Sequence, residues 1–194
     1  MSAATSIVLV LVGAALVIGS GALAIRGVSP REEAVFRAVN GLSDAWLVPI
    51  FVPMQFGTYI TTPVLAVVAW LTGRRAEAVT LFAAGTASWL LAKAVKEVAE
   101  RGRPQHALEA QVALRGPKEG GSGFPSGHAA TSTALAVVLG VALGGWWAPV
   151  LVALAVLTWI GRIYVGVHLP LDIVGGAGLG VAVAGLTTLI ADIV

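Results

Sequence analysis

GFPSGHAATSTALAVVLGVALGGWWAPVLVALAVLTWIG, residues 123–161, opens on glycine, proline and histidine and then carries no charge from Ala129 to Gly161. A transmembrane helix takes about 20 mostly apolar residues, so this run is too long for one helix. Gly144-Gly145-Trp146-Trp147-Ala148-Pro149 breaks it in two, with the tryptophans where an aromatic belt would lie. The stretch therefore reads as two spans joined by a tight turn. It leaves His128 at the lip of the first.

The whole chain agrees. Its 194 residues are 57% hydrophobic and 11% charged, with a mean hydropathy of +0.90; soluble domains are about one quarter charged. The length suits one domain whose solvent is mostly lipid. A net charge of +2 is too small to imply a nucleic-acid partner, and with no cysteine there is no disulfide or thiolate metal site. The histidines are His106, His128 and His168, too few for a histidine-rich metal cage.

Toward the N-terminus, Thr5 to Ile25 makes a first span. Ala22-Leu23-Ala24 resembles a signal-peptide cleavage site, but no Lys or Arg precedes the apolar run, which favours a retained helix. Ser29-Pro30-Arg31-Glu32 reads as an N-cap, a proline at the first helical position and a capping-box glutamate. Val35, Phe36, Val39 and Leu42 share a face, so an amphipathic helix at the membrane interface is expected before Asn40-Gly41. Pro49, Pro53 and Gly57 interrupt the uncharged segment from Ala45 to Gly73; its first half reads as interfacial or re-entrant, and Tyr59 to Leu71 as the main part of span two. Arg74-Arg75 make a turn, Glu77 to Val98 span three, and a polar loop runs from Ala99 to Phe124. Spans four and five follow from residues 123–161, and Ile173 to Ala191 makes the sixth. Gly175, Gly176, Gly178 and Gly180 in that last span suit close helix packing. The expectation is an all-α bundle of six transmembrane helices with an interfacial amphipathic helix in its N-terminal half.

Charge at membrane depth is costly and defaults to function. Lys96, Arg101 and Arg103 end span three, Ser126 and His128 begin span four, Arg162 ends span five, and His168 and Asp172 begin span six. Alternating spans bring all four ends to one face. Lys96, Arg103 and Arg162 have no comparable local set of carboxylates, and arginine offers a planar fork for phosphate oxygens. At Pro125-Ser126-Gly127-His128 a helix begins, where free N–H groups and the dipole favour an anion. Ser126 can add a hydroxyl, and Gly127 permits close backbone approach. The set suits a phosphate. Asp172 follows His168 by four residues and, in a helical turn, could reach one imidazole nitrogen and free the other to attack. His128 would then protonate the departing oxygen.

Lys96-Glu97-Val98-Ala99-Glu100-Arg101-Gly102-Arg103-Pro104 matches K-x6-R-P, Pro125-Ser126-Gly127-His128 matches P-S-G-H, and Arg162 to Asp172 matches R-x5-H-x3-D. With these the chain resembles the type 2 phosphatidic acid phosphatase family, which includes lipid phosphate phosphatases and vanadium haloperoxidases. The motifs cover residues 96–172, and the six-span layout extends the likeness along nearly the whole chain. The resemblance implies a single domain over residues 1–194 with its motif core at 93–176, and a metal-independent phosphatase working through a phosphohistidine. It makes His168 the nucleophile, Asp172 its orienting carboxylate and His128 the leaving-group acid. It assigns Lys96, Arg103, Ser126, Gly127 and Arg162 to the phosphoryl oxygens. No cofactor is implied, and vanadate should inhibit as a phosphate mimic. Gly161 departs from the family's usual serine, removing one possible hydroxyl.

Polyisoprenyl diphosphate is the favoured substrate, because the small loops leave little room for an elaborate headgroup pocket; phosphatidic acid and phosphatidylglycerol phosphate come next. The rivals are a lipid phosphotransferase and a non-catalytic lipid-phosphate binding or transport protein; a haloperoxidase fits poorly with so lipophilic a chain. Partners expected are the lipid substrate and the bilayer, with the oligomeric state open. A count of Lys and Arg in short loops would put the catalytic face in the cytoplasm, whereas the resemblance favours the extracytoplasmic face of a prokaryotic plasma membrane. Among the remaining cations, Lys93 reads as a snorkelling lysine, Arg101 as an anchor or phosphate contact, Arg115 and Lys118 as solvated loop or headgroup contacts, and Arg74-Arg75 as a topology signal. His106 reads as a cap or interface residue.

Overall fold

The computed structural model describes residues 1–108 and 111–191, so Glu109 and Ala110 of the polar loop and Asp192, Ile193 and Val194 fall outside it. The described chain is helical, with α1 Ala3–Ala24, α2 Pro30–Asn40, α3 Leu47–Met54, α4 Thr61–Leu71, α5 Arg75–Val98, α6 Pro104–Ala107, α7 Gly127–Leu143, α8 Trp147–Tyr164 and α9 Pro170–Ala191. Four of these, α1, α5, α8 and α9, are long and apolar enough to cross a membrane. The count rises to five if α2 and the segment Asp44–Gly57, bent by 77°, form one broken span.

The six complete spans expected are therefore not confirmed among the described helices. The expected second span, α4, has 11 residues and the fourth, α7, has 17. At 1.5 Å per residue these reach about 16 and 25 Å, against a hydrocarbon core of about 30 Å. The cause is local. Proline and glycine between Pro49 and Gly57 divide the second apolar run into α3, a 3₁₀ turn at Gln55–Gly57 and α4. Gly144 and Gly145, both at positive φ, stop α7 at Leu143.

The small residues of α9 explain the packing. Gly178 and Gly185 lie against α1, where added Cβ atoms would come within 2.6 Å of Leu16 Cβ and 2.7 Å of the Ser6 carbonyl. Gly176 and Gly180 lie against α7, each with a carbonyl (of Ser126 and Ala130) 2.3 Å from an added Cβ. A larger residue at any of these positions would push helices apart, so α9 sits between α1 and α7 as the small-residue pattern suggested. Leu81, Ala84 and Ala92 of α5, Ala130, Ala134, Leu135 and Val138 of α7, and Leu179 and Val183 of α9 form the largest buried cluster.

Ser29 caps α2 as expected, accepting from the Glu32 N–H at 3.2 Å, and Phe36 is buried at 1% exposure against Ile163, Leu169 and Ile173. Glu32 is no capping-box residue, however. Its carboxylate leaves the helix and meets Arg101, 69 residues away. At the far end of the bundle Arg74 donates to the Ala142 carbonyl at 3.2 Å, so the start of α5 and the end of α7 lie together, opposite Lys96 and His128.

Candidate active site

Four helix ends meet as the alternating spans required: the end of α5, the start of α7, the end of α8 and the start of α9. Between them lies a cavity of about 180 Å³ lined by Gly57, Tyr59, Trp89, Ala92, Lys93, Lys96, Glu119, Gly127, His128 and His168. Larger apolar grooves, of about 480 and 390 Å³, lie elsewhere on the helices and contain neither histidine. Of the residues singled out by sequence, Lys96, Gly127, His128 and His168 face the open space. Arg103, Arg162, Ser126 and Asp172 are buried around it.

The start of α9 sets the histidine pair. Pro170 is the first helical residue, so Asp172 is the third, and its Oδ2 reaches back to accept the Leu169 N–H at 2.8 Å. That is the acidic half of a capping box. His168 therefore precedes the helix, with Nδ1 3.4 Å from the same Oδ2, at ion-pair range and without hydrogen-bond geometry. Gly123 makes room for the carboxylate, since a Cβ there would lie 2.9 Å from Oδ2. His168 is 2% exposed. Burial, followed by the charges of Arg162, Lys96 and Arg103, holds it well below the ordinary imidazole value. It is neutral at working pH.

Behind Asp172 stands a feature the sequence did not suggest. Arg101, 8% exposed, places Nη2 2.6 Å from Glu32 Oε1 and Nε 3.0 Å from Asp172 Oδ1. Glu32 Oε1 also accepts the Leu171 N–H at 2.9 Å. Arg101 is thus neither an interfacial anchor nor a phosphate contact. It ties α2 to the start of α9. No local spacing announces a pair separated by 69 residues.

The cationic side is assembled by the loop between α5 and α7. Lys96 Nζ donates to the carbonyls of Ser122 at 2.9 Å and Gly123 at 3.1 Å. Arg103 donates to the Val167 carbonyl at 3.0 Å through Nη1 and to that of Gly120 at 3.2 Å through Nε. Glu119, absent from the sequence reading, joins the two arginines: Oε2 lies 2.9 Å from Arg103 Nη1, and Oε1 accepts from Arg162 Nη2. Burial alone would raise the Glu119 carboxyl, but Arg162 first, then Arg103, bring it down to about 2. Its contribution to stability is complete above the unfolded value near 4.5 and disappears as pH falls through 2.

Ser126 is fully buried as the N-cap of α7, its hydroxyl accepting the Ala129 N–H at 3.4 Å. Its own N–H goes to the Asp172 carbonyl at 2.9 Å. Gly161, the departure from the family pattern, faces α3: an added Cβ would meet Ile50 Cγ2 and Met54 Sδ, each at 3.1 Å. Arg115 is no solvated loop residue. It bonds to the carbonyls of Asn40, Leu42 and Tyr164 and to Asp44, and stacks over the Tyr164 ring, pinning the long loop to α2 and α8. Gly166, at φ +80, permits that contact, because a Cβ would lie 2.6 Å from the Ala113 carbonyl. Lys93 lies over the Trp89 ring, 3.9 Å from its centroid, and Trp89 stacks on Tyr59 at 4.6 Å. These three form the cavity rim. His106 is exposed and touches only Gln105 among the described polar groups. Among the described residues no group of three His, Asp or Glu side chains is arranged to hold a metal ion.

Comparison with known proteins matches residues 76–193 to the PAP2 superfamily model. An undecaprenyl-diphosphatase of Sulfolobus acidocaldarius is 30% identical over 148 residues, 75% of this chain and 71% of that protein. A decaprenylphosphoryl-5-phosphoribose phosphatase of Mycobacterium tuberculosis is 32% identical over 113 residues, 58% of this chain; the match spans 60% of that relative's length. Among solved structures, Aquifex aeolicus LpxE superimposes with a TM-score of 0.73 at 27% identity, covering 80% of this chain and 93% of that one. A PAP2-type phosphatidylglycerolphosphate phosphatase of Bacillus subtilis gives 0.73 at 23% identity over 94% and 97%, a likeness of fold alone.

Proposed function

The chain belongs to the PAP2 superfamily, and from that membership we propose that it is an integral membrane lipid phosphatase hydrolysing a lipid diphosphate or phosphate monoester through a phosphohistidine. The observation that supports this reading best is the shared cavity: two histidines and Lys96 face the same space, with two buried arginines and an orienting carboxylate around it. A binding protein would need the cations, but not a neutral buried imidazole beside a carboxylate.

In this mechanism the lipid enters laterally with its tail in the bilayer. His168 attacks phosphorus through the nitrogen that does not face Asp172. Lys96, Arg103, Arg162 and the backbone N–H groups at Gly127 stabilise charge on the equatorial oxygens. His128, protonated as the phosphate anion enters beside it, gives that proton to the leaving oxygen and takes one back from the water that hydrolyses the phosphohistidine. No metal is required by these steps. The active site is assigned to the extracytoplasmic face.

Polyisoprenyl diphosphate remains the favoured substrate. The names of two relatives point to polyprenyl phosphates, and about 180 Å³ accommodates a phosphoryl group with little else. The second phosphate would then lie at the rim, where Lys93 pairs with no carboxylate among the described residues. Lys93→Gln should lower kcat/KM for polyisoprenyl diphosphate about tenfold, the value of one charge-assisted contact, and leave phosphatidic acid within about twofold. Equal loss on both lipids would remove Lys93 from the leaving-group site.

The deciding assay is phosphate release by detergent-purified protein in EDTA, across polyisoprenyl diphosphates, phosphatidic acid and phosphatidylglycerol phosphate. Metal-free turnover of one of them is expected. Folded protein that releases no phosphate from any would overturn the phosphatase reading.

A further inference from the structure

The open space of the site ends at a carboxylate. Glu119 lines the cavity, whereas Arg103 and Arg162 lie behind it, Arg162 donating to Oε1 and Arg103 at ion-pair range of Oε2. Each oxygen serves a different guanidinium, as two oxygens of one tetrahedral oxyanion would. A phosphate entering this cavity therefore meets a negative charge before it meets either arginine. Like charges in contact in a partly buried site are strongly unfavourable. The cradle cannot hold phosphate and Glu119 together.

The surroundings allow an exchange. Glu119 is followed by Gly120 and Gly121, and added Cβ atoms at both would have nothing within 4 Å, so this part of the loop has open space beside it. The Gly120 carbonyl accepts from Arg103 Nε at 3.2 Å, and the loop is fixed further off on either side. Arg115 pins it to α2 and α8, and Lys96 holds the Ser122 and Gly123 carbonyls. The carboxylate is held at about 2, so it stays charged at any working pH and cannot leave by protonation. Only another anion can take over its arginines.

We propose that Glu119 is a resident stand-in for the phosphoryl group: it keeps Arg103 and Arg162 oriented in the empty site, and the phosphate of the substrate displaces it. The oxyanion part of this inference rests on geometry. That the natural oxyanion belongs to a lipid rests on the function proposed above. Two consequences follow for the reaction. The affinity for any phosphate is lowered by the cost of evicting Glu119, and the carboxylate's return helps expel inorganic phosphate at the end of each cycle. Glu119 is thus a positioning residue that tunes binding and release.

The experiment compares wild type with Glu119→Gln, purified in detergent, by calorimetric titration with inorganic phosphate and no lipid. The variant keeps the side-chain length and loses the charge, so phosphate should bind about tenfold more tightly or better. Its thermal midpoint should fall without phosphate and recover with it, because two buried arginines then regain an anion. With turning-over enzyme, KM for the lipid should fall while kcat does not rise. Phosphate affinity that is unchanged or weaker overturns the proposal, as does lost turnover at unchanged affinity, which would make Glu119 a chemical participant. If the glutamine variant does not fold, Glu119→Asp serves instead. Its shorter side chain should relax its hold on the arginines and give an intermediate gain in affinity, and no gain overturns the idea. Because phosphate binding is read without lipid, a failed lipid assay leaves this result standing.

Discussion

His168→Ala is expected to release phosphate at less than about one ten-thousandth of the wild-type rate, since removing a nucleophile commonly costs more than the other contacts can replace. The side chain is 2% exposed at the base of the cavity. Nothing else among the cavity-lining residues can take its place: His128 belongs to the adjoining helix start, and Lys96 is committed to the Ser122 and Gly123 carbonyls. Asp172→Asn should cost about 10²- to 10⁴-fold, because the amide keeps the cap to Leu169 but no longer fixes the imidazole by charge. A base-quenched reaction with labelled lipid phosphate separates chemistry from binding. Wild type should carry acid-labile label, and His168→Ala none. Label retained in the alanine protein would place the covalent step elsewhere.

The same burial has a pH signature. The imidazole is neutral when folded and regains its ordinary value near 6.5 when unfolded. The unfolded state therefore binds the extra proton, and stability declines as pH drops below about 6.5. Activity, by contrast, should persist into mild acid, because the folded His168 resists protonation there. A thermal midpoint that falls before the rate does would report this difference directly.

The histidines and motif cations were legible in sequence because each sits at a helix end, where hydropathy fixes position, and because alternation of spans dictates which ends share a face. His128, Lys96 and His168 needed no knowledge of tertiary contacts. Glu119, Glu32 and Arg115 did. Each is a charge in a loop or surface helix with a partner 43, 69 and 71 residues away, respectively. Local spacing carries no trace of such pairings. Lys93 shows a related limit: helical spacing puts it one turn from Lys96, but only the position of Trp89 and Tyr59 places it on the cavity lining. The six-span count is the part of the fold that hydropathy leaves unconfirmed among the described helices. Uncharged residues from Ala45 to Gly73 satisfy a hydropathy window, yet proline and glycine cut them into pieces too short to cross.

Arg101→Ala should be the most damaging change outside the cavity, with a loss of about 3–5 kcal/mol, the range for breaking a buried ion pair from one side. Its side chain is 8% exposed, and the two carboxylates it joins, on Glu32 and Asp172, are 3% and 0% exposed. Removing the guanidinium leaves both acids buried, and among the described residues neither has another cation within ion-pair range apart from His168, whose ring is neutral. Asp172 would then lose the contact that fixes its Oδ1 and hold His168 less firmly, so activity should fall along with the thermal midpoint. Arg101→Lys should restore little of either, because one ammonium cannot reproduce a fork that meets Glu32 through Nη2 and Asp172 through Nε. Pairing Arg101→Ala with Glu32→Gln separates the two roles. If Glu32 matters only as Arg101's partner, the double variant should recover part of the stability lost by Arg101→Ala, since one stranded charge is gone. Activity should not recover with it, because Asp172 still lacks its cation. Recovery of both together would mean that the α2 contact, and not the charge on Asp172, is what Arg101 supplies to the site.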